Sequence, residues 1–246
     1  MYNWFGVDAT GIEFSFLSFM HLTALTIITL LLILLYSGRK YLRGNQRMRA
    51  IVRYGLVVVL VLSEIFLQIW NISNDQWNWA DSLPLQLCSL SLVLSIILLL
   101  TRSYAIYEVV FFIGIVGALQ AVLTPALDYS FPHLRFFHFF IAHFAIIAAS
   151  LYMTWVEGYR PTFRSVIKTM AALQLLLPFI IAVNYWTGGN YMFLARKPIT
   201  VSLLDMLGPW PWYLFMLEGI AFGLFLFLYL PFKCGGNRTN FRHMNQ

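Results

Sequence analysis

The sequence predicts an all-α polytopic membrane protein of seven transmembrane helices, one domain over residues 1–246. The chain is 60% hydrophobic and only 11% charged, against roughly 25% charged in a soluble domain. Apolar runs such as Leu22 to Tyr36 and Leu214 to Leu230 approach the ~20 residues that cross a bilayer. No polar stretch is long enough to fold separately. The short polar connections make helices adjacent in sequence neighbours in space.

The helices are expected at 15–36, 54–72, 83–101, 105–123, 134–153, 165–184 and 211–231. The third should start on an N-cap at Asp81 or Ser82, with Pro84 in its first turn. Pro178, in the sixth, is the residue able to break a helix. The first fifteen residues hold Asp8 and Glu13 but neither Lys nor Arg, so no cleavable signal peptide is expected. Cys88 lies in a span and Cys234 in the tail, so no disulfide framework is expected.

Orientation follows from basic residues. Arg39, Lys40, Arg43, Arg47, Arg49, Arg53, Arg102, Arg160, Arg164, Lys168, Lys233, Arg238 and Arg242 share one side, 13 of the 16 positives. Arg135, Arg196 and Lys197 stand opposite. Positive-inside bias then predicts the N-terminus out and the C-terminus in. The net charge of +6 therefore reflects topology and lipid headgroups, and no nucleic-acid partner is expected. Trp77, Trp79 and the Gly208-Pro209-Trp210-Pro211-Trp212 segment lie on the outer side, the pattern of an interfacial aromatic belt.

Polar side chains inside the spans mark candidate function, because they are costly in hydrocarbon. His21, Glu64, Gln68, Cys88, Gln120, His138, His143, Asn184 and Glu218 all fall in the outer half. At 1.5 Å per residue Cys88 lies roughly 8 Å deep and Glu64 and Glu218 roughly 12 Å. Glu108 is the inner exception, close enough to its helix end to reach water. Glu64, Gln68 and Asn71 share one helix face, as do Cys88, Ser91 and Ser95; small-residue packing explains the second stripe equally well. We expect a polar cavity opening outward.

A buried cysteine is ordinarily an inert small hydrophobe. With a helix starting at 83, Cys88 falls in the second turn, where helix-end electrostatics fade. A nucleophilic role requires a base, and histidine is the natural one. His138 and His143 are five apart and point about 140° from each other, so one faces the cavity and the other a neighbour. Depth favours His138; tilt could bring either. No lysine lies inside the seventh span for a retinal Schiff base. No His pair has i, i+4 metal spacing, and a bis-His haem through His21 would be a single one, poorly suited to moving electrons across the membrane. No cofactor and no metal are expected.

Leu83-Pro-Leu-Gln-Leu-Cys88-Ser-Leu, Phe139-Phe-Ile-Ala-His143, Asn190-Tyr-Met-Phe-Leu194 with Lys197-Pro198, and Leu207-Gly-Pro-Trp-Pro-Trp-Tyr213 resemble the YwaF-like bacterial membrane proteins over nearly the whole chain. That group is similar to the eukaryotic transmembrane protein 164 family, acyltransferases that remodel phospholipids through an acylated cysteine. The resemblance implies Cys88 as nucleophile, His143 as the base ahead of His138, and a multi-pass place in a bacterial cytoplasmic membrane. Where that pattern has a histidine two residues before the cysteine, this chain has Gln86.

For such chemistry Gln86, Gln68 or Asn190 could supply oxyanion donors, and Arg135, Arg196 and Lys197 could hold a lipid phosphate. Glu64, His21 and Glu218 complete the expected substrate-binding set, with membrane lipids as partners and a phospholipid or acyl-lipid as substrate. The other reading is a non-enzymatic transporter or receptor with a small polar or lipidic ligand in the same cavity. Transport ordinarily needs broken helices or an inner pathway, which the dry inner half does not supply.

Overall fold

The computed structural model describes residues 4–7, 14–197 and 203–234. Asp8, Glu13, Pro198, Arg238, Arg242 and the Cys234 side chain lie outside the described residues. Within them the chain is all-α, with α1 (Phe19–Gly44), α2 (Gln46–Ser73), α3 (Leu87–Thr101), α4 (Tyr104–Leu123), α5 (Leu134–Trp155), α6 (Phe163–Thr187) and α7 (Trp212–Cys234). Short 3-10 turns at Tyr191–Phe193 and Leu203–Leu207 interrupt the α6–α7 connection. Six of the helices are long and apolar enough to cross a membrane, and α3, with 15 residues, is the exception.

The centre of the bundle is the α4–α5 pair. Gly114 lets the two backbones approach, since a Cβ there would lie 3.2 Å from Ile146 and 3.3 Å from the Ser150 hydroxyl. Ser150 donates to the Val110 carbonyl across the same crossing. Ala142, Ala145, Ala148 and Ala149 are all buried on α5, the small-residue packing expected where lipid supplies no hydrophobic drive.

Two expected boundaries are corrected on the basic side. Residues 37–53, read as a connection, are helical: α1 and α2 run on until Asn45, which stands between them with φ −119° and ψ 99°. The Asn45 side chain accepts from the Met48 amide and caps α2. The arginines there ride on helical extensions, and Arg43 reaches over to donate to the Trp155 carbonyl at 2.8 Å.

Glu108 is corrected as well. It does not reach water but is 2% exposed, accepting from the Ser165 hydroxyl at 2.7 Å and pairing with Lys168 at 2.5 Å. A capping box between Thr162 and Ser165 opens α6 and sets that hydroxyl. Removing one partner of such a pair strands the other. Lys168→Ala is expected to destabilise the protein by roughly 1–3 kcal/mol, below the range for a wholly buried pair because the lysine is exposed. Glu108→Gln should cost less. Thermal unfolding in detergent would read both.

The N-terminal segment is pinned across the opposite end through its backbone carbonyls. The Leu134 amide donates to Trp4 at 2.9 Å, the Trp70 indole to Phe5 at 2.6 Å and His133 Nε2 to Gly6 at 3.1 Å. His133 Nδ1 accepts from the Arg135 amide as the α5 cap, so this network needs the neutral ring. Burial holds the His133 pKa below the usual histidine value, Arg135 adds to that, and the bond to Gly6 opposes it. A depressed histidine pKa means the unfolded state binds the proton more tightly. Its stabilisation is complete above pH ~6.5 and fades as pH falls below that value. Proteolysis of the N-terminal segment should accelerate on acidification from pH 7 to 5, and His133→Asn should flatten that dependence.

Candidate functional site

The third helix starts four residues later than its sequence signals suggest, and the reason is competition for backbone groups. Residues 74–86 form a strap across one end of the bundle. Ser82, expected as an N-cap, spends its hydroxyl on the Asn78 amide and its carbonyl on Gln68 Nε2. The Leu83 amide donates to the Tyr191 hydroxyl at 3.0 Å, and that hydroxyl donates to the Trp79 carbonyl at 2.8 Å. Burial raises the Tyr191 pKa, which keeps the phenol protonated and able to donate. With these groups taken, α3 begins at Leu87 behind Gln86, which makes no side-chain cap.

Cys88 is therefore the second residue of α3, in its first turn, a correction to the second-turn placement. The amides of Leu87, Cys88 and Ser89 have no hydrogen-bond partner among the described residues; the first one bonded is Leu90, to the Gln86 carbonyl. A helix of 15 residues spans about 22 Å, against about 30 Å of bilayer hydrocarbon. The uncapped end presents free amides and the positive end of the helix dipole, both of which attract negative charge. Cys88 is a free, part-buried thiol, and its Sγ has no hydrogen-bond partner among the described residues. Ser91 and Ser95, on the same face, bond back to Leu87 and Ser91 of their own helix. That stripe is packing apart from its thiol.

The α6–α7 connection holds the strap down. Asn184 brackets Tyr191, donating to its carbonyl at 3.0 Å and accepting from its amide at 2.7 Å. Gln86 Oε1 accepts from the Met192 amide at 2.9 Å, and the Tyr213 hydroxyl donates to the Phe193 carbonyl. Met192 and Phe193 both adopt left-handed backbone, with φ 56° and 54°, at about 1–2 kcal/mol each for L-residues. Their backbone groups are held on either side, so the strain persists. Gly189 passes so close to the strap that a Cβ would sit 2.5 Å from the Ala80 carbonyl oxygen.

The histidines divide by what their nitrogens do. His21 accepts from the Leu17 amide at Nδ1 and donates to the Val122 carbonyl at 2.8 Å from Nε2; it is a strut between α1 and α4. His138 donates from its outer nitrogen, Nε2, to the Ser63 carbonyl on α2 at 3.0 Å, with Phe66 against its ring. His143 donates from Nδ1 to the Phe139 carbonyl at 2.7 Å. A carbonyl only accepts, so the proton sits on Nδ1 and Nε2 presents a lone pair. That Nε2 has no partner among the described residues, and no hydrogen bond joins it to Cys88.

The other expected site residues do not gather in one place. Glu64 accepts from Gln68 at 2.9 Å, and Gln68 Oε1 accepts from the Trp77 indole at 3.0 Å, so this pair anchors the strap to α2. Asn190 is consumed by its own loop, accepting from the Ala195 and Arg196 amides and donating to the Arg196 carbonyl. Arg135 lies over the Trp70 ring at 4.8 Å, its Nε unpaired. Arg196 is exposed, and Lys197 lies 5.7 Å from the Tyr213 ring. Glu218 is part-buried on α7 without a hydrogen-bond or ion-pair partner among the described residues, and Gln120 is exposed. The described residues hold no group of three metal-ligating side chains.

Sequence reasoning missed the first-turn amides of α3. A signal existed: no Ser, Thr, Asp or Asn stands in the three positions before Leu87. It also missed Tyr191, whose hydroxyl links the two segments.

Fold and site together define a multi-pass helical membrane protein with a single free thiol, among the described residues, in an uncapped first helical turn. Residues 16–229 match the model of the TMEM164 family. The chain belongs to that family. No curated protein and no solved structure matches it.

Tyr191→Phe removes the donor to Trp79 and the acceptor for Leu83. Loss of bonds to partly buried groups costs about 1–3 kcal/mol, so the strap should open more often. Alkylation of Cys88 by a membrane-permeant maleimide should rise about tenfold, followed by intact mass.

Proposed function

We propose that this protein is a membrane acyltransferase acting on phospholipids, with Cys88 as thiol nucleophile and His143 as general base. The observation that carries the reading is the position of Cys88 in the uncapped first turn of α3, beneath a strap fixed from two sides. The YwaF-like resemblance points to the same two residues. We further propose seven membrane crossings, with α3 the short one. The N-terminus is then outside and the C-terminus inside, in a bacterial cytoplasmic membrane.

In this mechanism His143 Nε2 takes the Cys88 proton as Sγ attacks the carbonyl carbon of a phospholipid ester. The oxyanion of the tetrahedral adduct sits against the Leu87, Cys88 and Ser89 amides, which have no competing partner among the described residues. Collapse breaks the ester C–O bond, and the glycerol oxygen leaves with the proton from His143. The products are a lysophospholipid and S-acyl Cys88. An acceptor hydroxyl then attacks the thioester with His143 again as base, and the thiolate recovers its proton. Catalytic hydrogen bonds that are long in a free enzyme tighten with substrate, so the unbonded thiol and imidazole fit this cycle.

The donors first considered for the oxyanion are otherwise engaged: Gln68 binds Glu64 and Ser82, and Asn190 binds its own loop. Gln86, where the resembled pattern has histidine, positions Met192. Arg135, Arg196 and Lys197 remain proposed contacts for a lipid phosphate.

Incubation with phosphatidylcholine should add one acyl mass to the protein, removed by hydroxylamine and absent from Cys88→Ala. His143→Ala should slow acylation by about 10²–10⁴-fold, the usual worth of a general base. His138→Ala should chiefly lower stability, by about 1 kcal/mol. A thiol that stays unacylated and inert to alkylation in lipid would overturn the proposal in favour of a ligand-binding protein.

A further inference from the structure

A second feature lies at the other end of α3 from Cys88, where the α3–α4 and α5–α6 turns meet. A reciprocal pair of tyrosines clasps the two turns together. The Tyr104 hydroxyl donates to the Arg160 carbonyl at 2.7 Å, and the Tyr159 hydroxyl donates to the Arg102 carbonyl. The two rings stand 5.7 Å apart, edge to face, and Tyr107 packs against both. Each turn thus fixes the backbone of an arginine on the other.

Local physics does not favour arginine at two positions here. Arg102 ends α3 in the left-handed region, with φ 54° and ψ 31°, a conformation that favours glycine at a helix end. A cation within the last turn would complement the α3 dipole without strain, yet that turn holds none. Arg164 lies in the first turn of α6, where the helix dipole repels a cation. Orientation does not require these placements either, because a basic residue anywhere on this side satisfies the charge bias. Positions that break a local rule without a local gain point to function.

The chemistry that fits is a phosphate. Arg102, Arg160 and Arg164 are exposed, and the carboxylates nearby are engaged, Glu108 with Lys168 and Glu157 with Arg49. Neither Arg102 nor Arg164 forms an ion pair among the described residues. Guanidinium groups bond phosphate oxygens two at a time in their own plane, and holding the backbone beforehand lowers the cost of ordering them. Depth selects the source of the phosphate. With 20 residues, α4 is about 30 Å long, the thickness of bilayer hydrocarbon, so its Tyr104 end falls at the level of the headgroups.

We infer that the clasped turns form a binding site for the phosphate of an anionic phospholipid, with Arg102, Arg160 and Arg164 as its contacts. Tyr104 and Tyr159 are the residues that position them. The site does not rest on the chemistry proposed for Cys88.

The test counts lipids retained by the full-length protein in native mass spectrometry, after extraction from vesicles of equal phosphatidylglycerol and phosphatidylcholine. The wild type should retain phosphatidylglycerol in preference. Arg102→Gly should weaken that binding about tenfold, the loss of one charge-assisted bond. It should also keep or raise the midpoint of thermal unfolding, because the backbone strain is relieved. Arg164→Gln should weaken binding similarly, and asks the same question should Arg102→Gly fail to fold. Tyr104→Phe with Tyr159→Phe changes no charge yet should weaken it too. Lys40→Gln with Arg47→Gln removes two exposed charges from the same side and should leave binding unchanged. Equal loss from that pair and from Arg102→Gly with Arg164→Gln would overturn the inference, because a diffuse field would then explain the preference. So would equal retention of the two lipids, or stabilisation by inorganic phosphate but not by phosphatidylglycerol. Cys88→Ala should bind phosphatidylglycerol like the wild type whether or not Cys88 is acylated.

Discussion

The Tyr191 hydroxyl, accepting from Leu83 and donating to Trp79, is the contact on which the rest of the site depends. It ties the Leu83 amide into the strap, while Ser82 gives its carbonyl to Gln68 and its hydroxyl to the Asn78 amide, and α3 begins only at Leu87. The later start puts Cys88 among the free amides of the first turn. Because the phenol is buried, its bonds face little competition from water, and loss of either leaves an amide or carbonyl unpaired. The strained backbone at Met192 and Phe193 follows from the same contact: Asn184, Gln86 and Tyr213 hold the turn that presents Tyr191. Backbone strain of this kind persists where the surroundings over-determine it.

The basic end of the bundle is built on a different logic. There Glu108, Ser165 and Lys168 close on one another, Tyr107 pairs with Thr154 at 2.9 Å, and Tyr152 donates to the Arg49 carbonyl at 2.9 Å. Each buried polar group named here has a partner, which fixes the helix ends and leaves nothing free to react. At the strap end, by contrast, the three first-turn amides of α3 and the Cys88 thiol have none among the described residues. Unsatisfied polar groups in hydrocarbon are costly.

How far the sequence could be read depended on the range of the forces involved. Hydropathy alone marks six of the spans, because the apolar requirement acts on every residue of a crossing helix. The ends of α1 and α2 were misread because charged residues in 37–53 look like a loop, whereas Asn45 alone makes the break. The start of α3 was hidden for a sharper reason. Asp81, Ser82 and Pro84 form a sound local N-terminal signal, overridden because Gln68 and Asn78 take up the Ser82 carbonyl and hydroxyl. The histidines show the same limit. Spacing separates the directions of His138 and His143, but which nitrogen each leaves free depends on the Ser63 and Phe139 carbonyls, which only the fold brings into place.

The two apolar features of the structure differ in a way that bears on how a lipid would be handled. A groove between α1 and α5 is open at its side, because α1 packs lightly on its neighbours and leaves Ala24 facing the Phe136–Phe140 wall. The strap before α3 is tied down instead by side-chain hydrogen bonds from Gln68, Gln86 and Tyr191. A hydrocarbon chain gains nothing on leaving the bilayer for an equally apolar groove except packing against rigid rings. An ester carbonyl at the α3 end would instead meet unpaired amides, which reward developing negative charge far more than a neutral group. The open side of one feature and the tied backbone of the other thus offer different things, shape alone in the first and affinity for developing negative charge in the second.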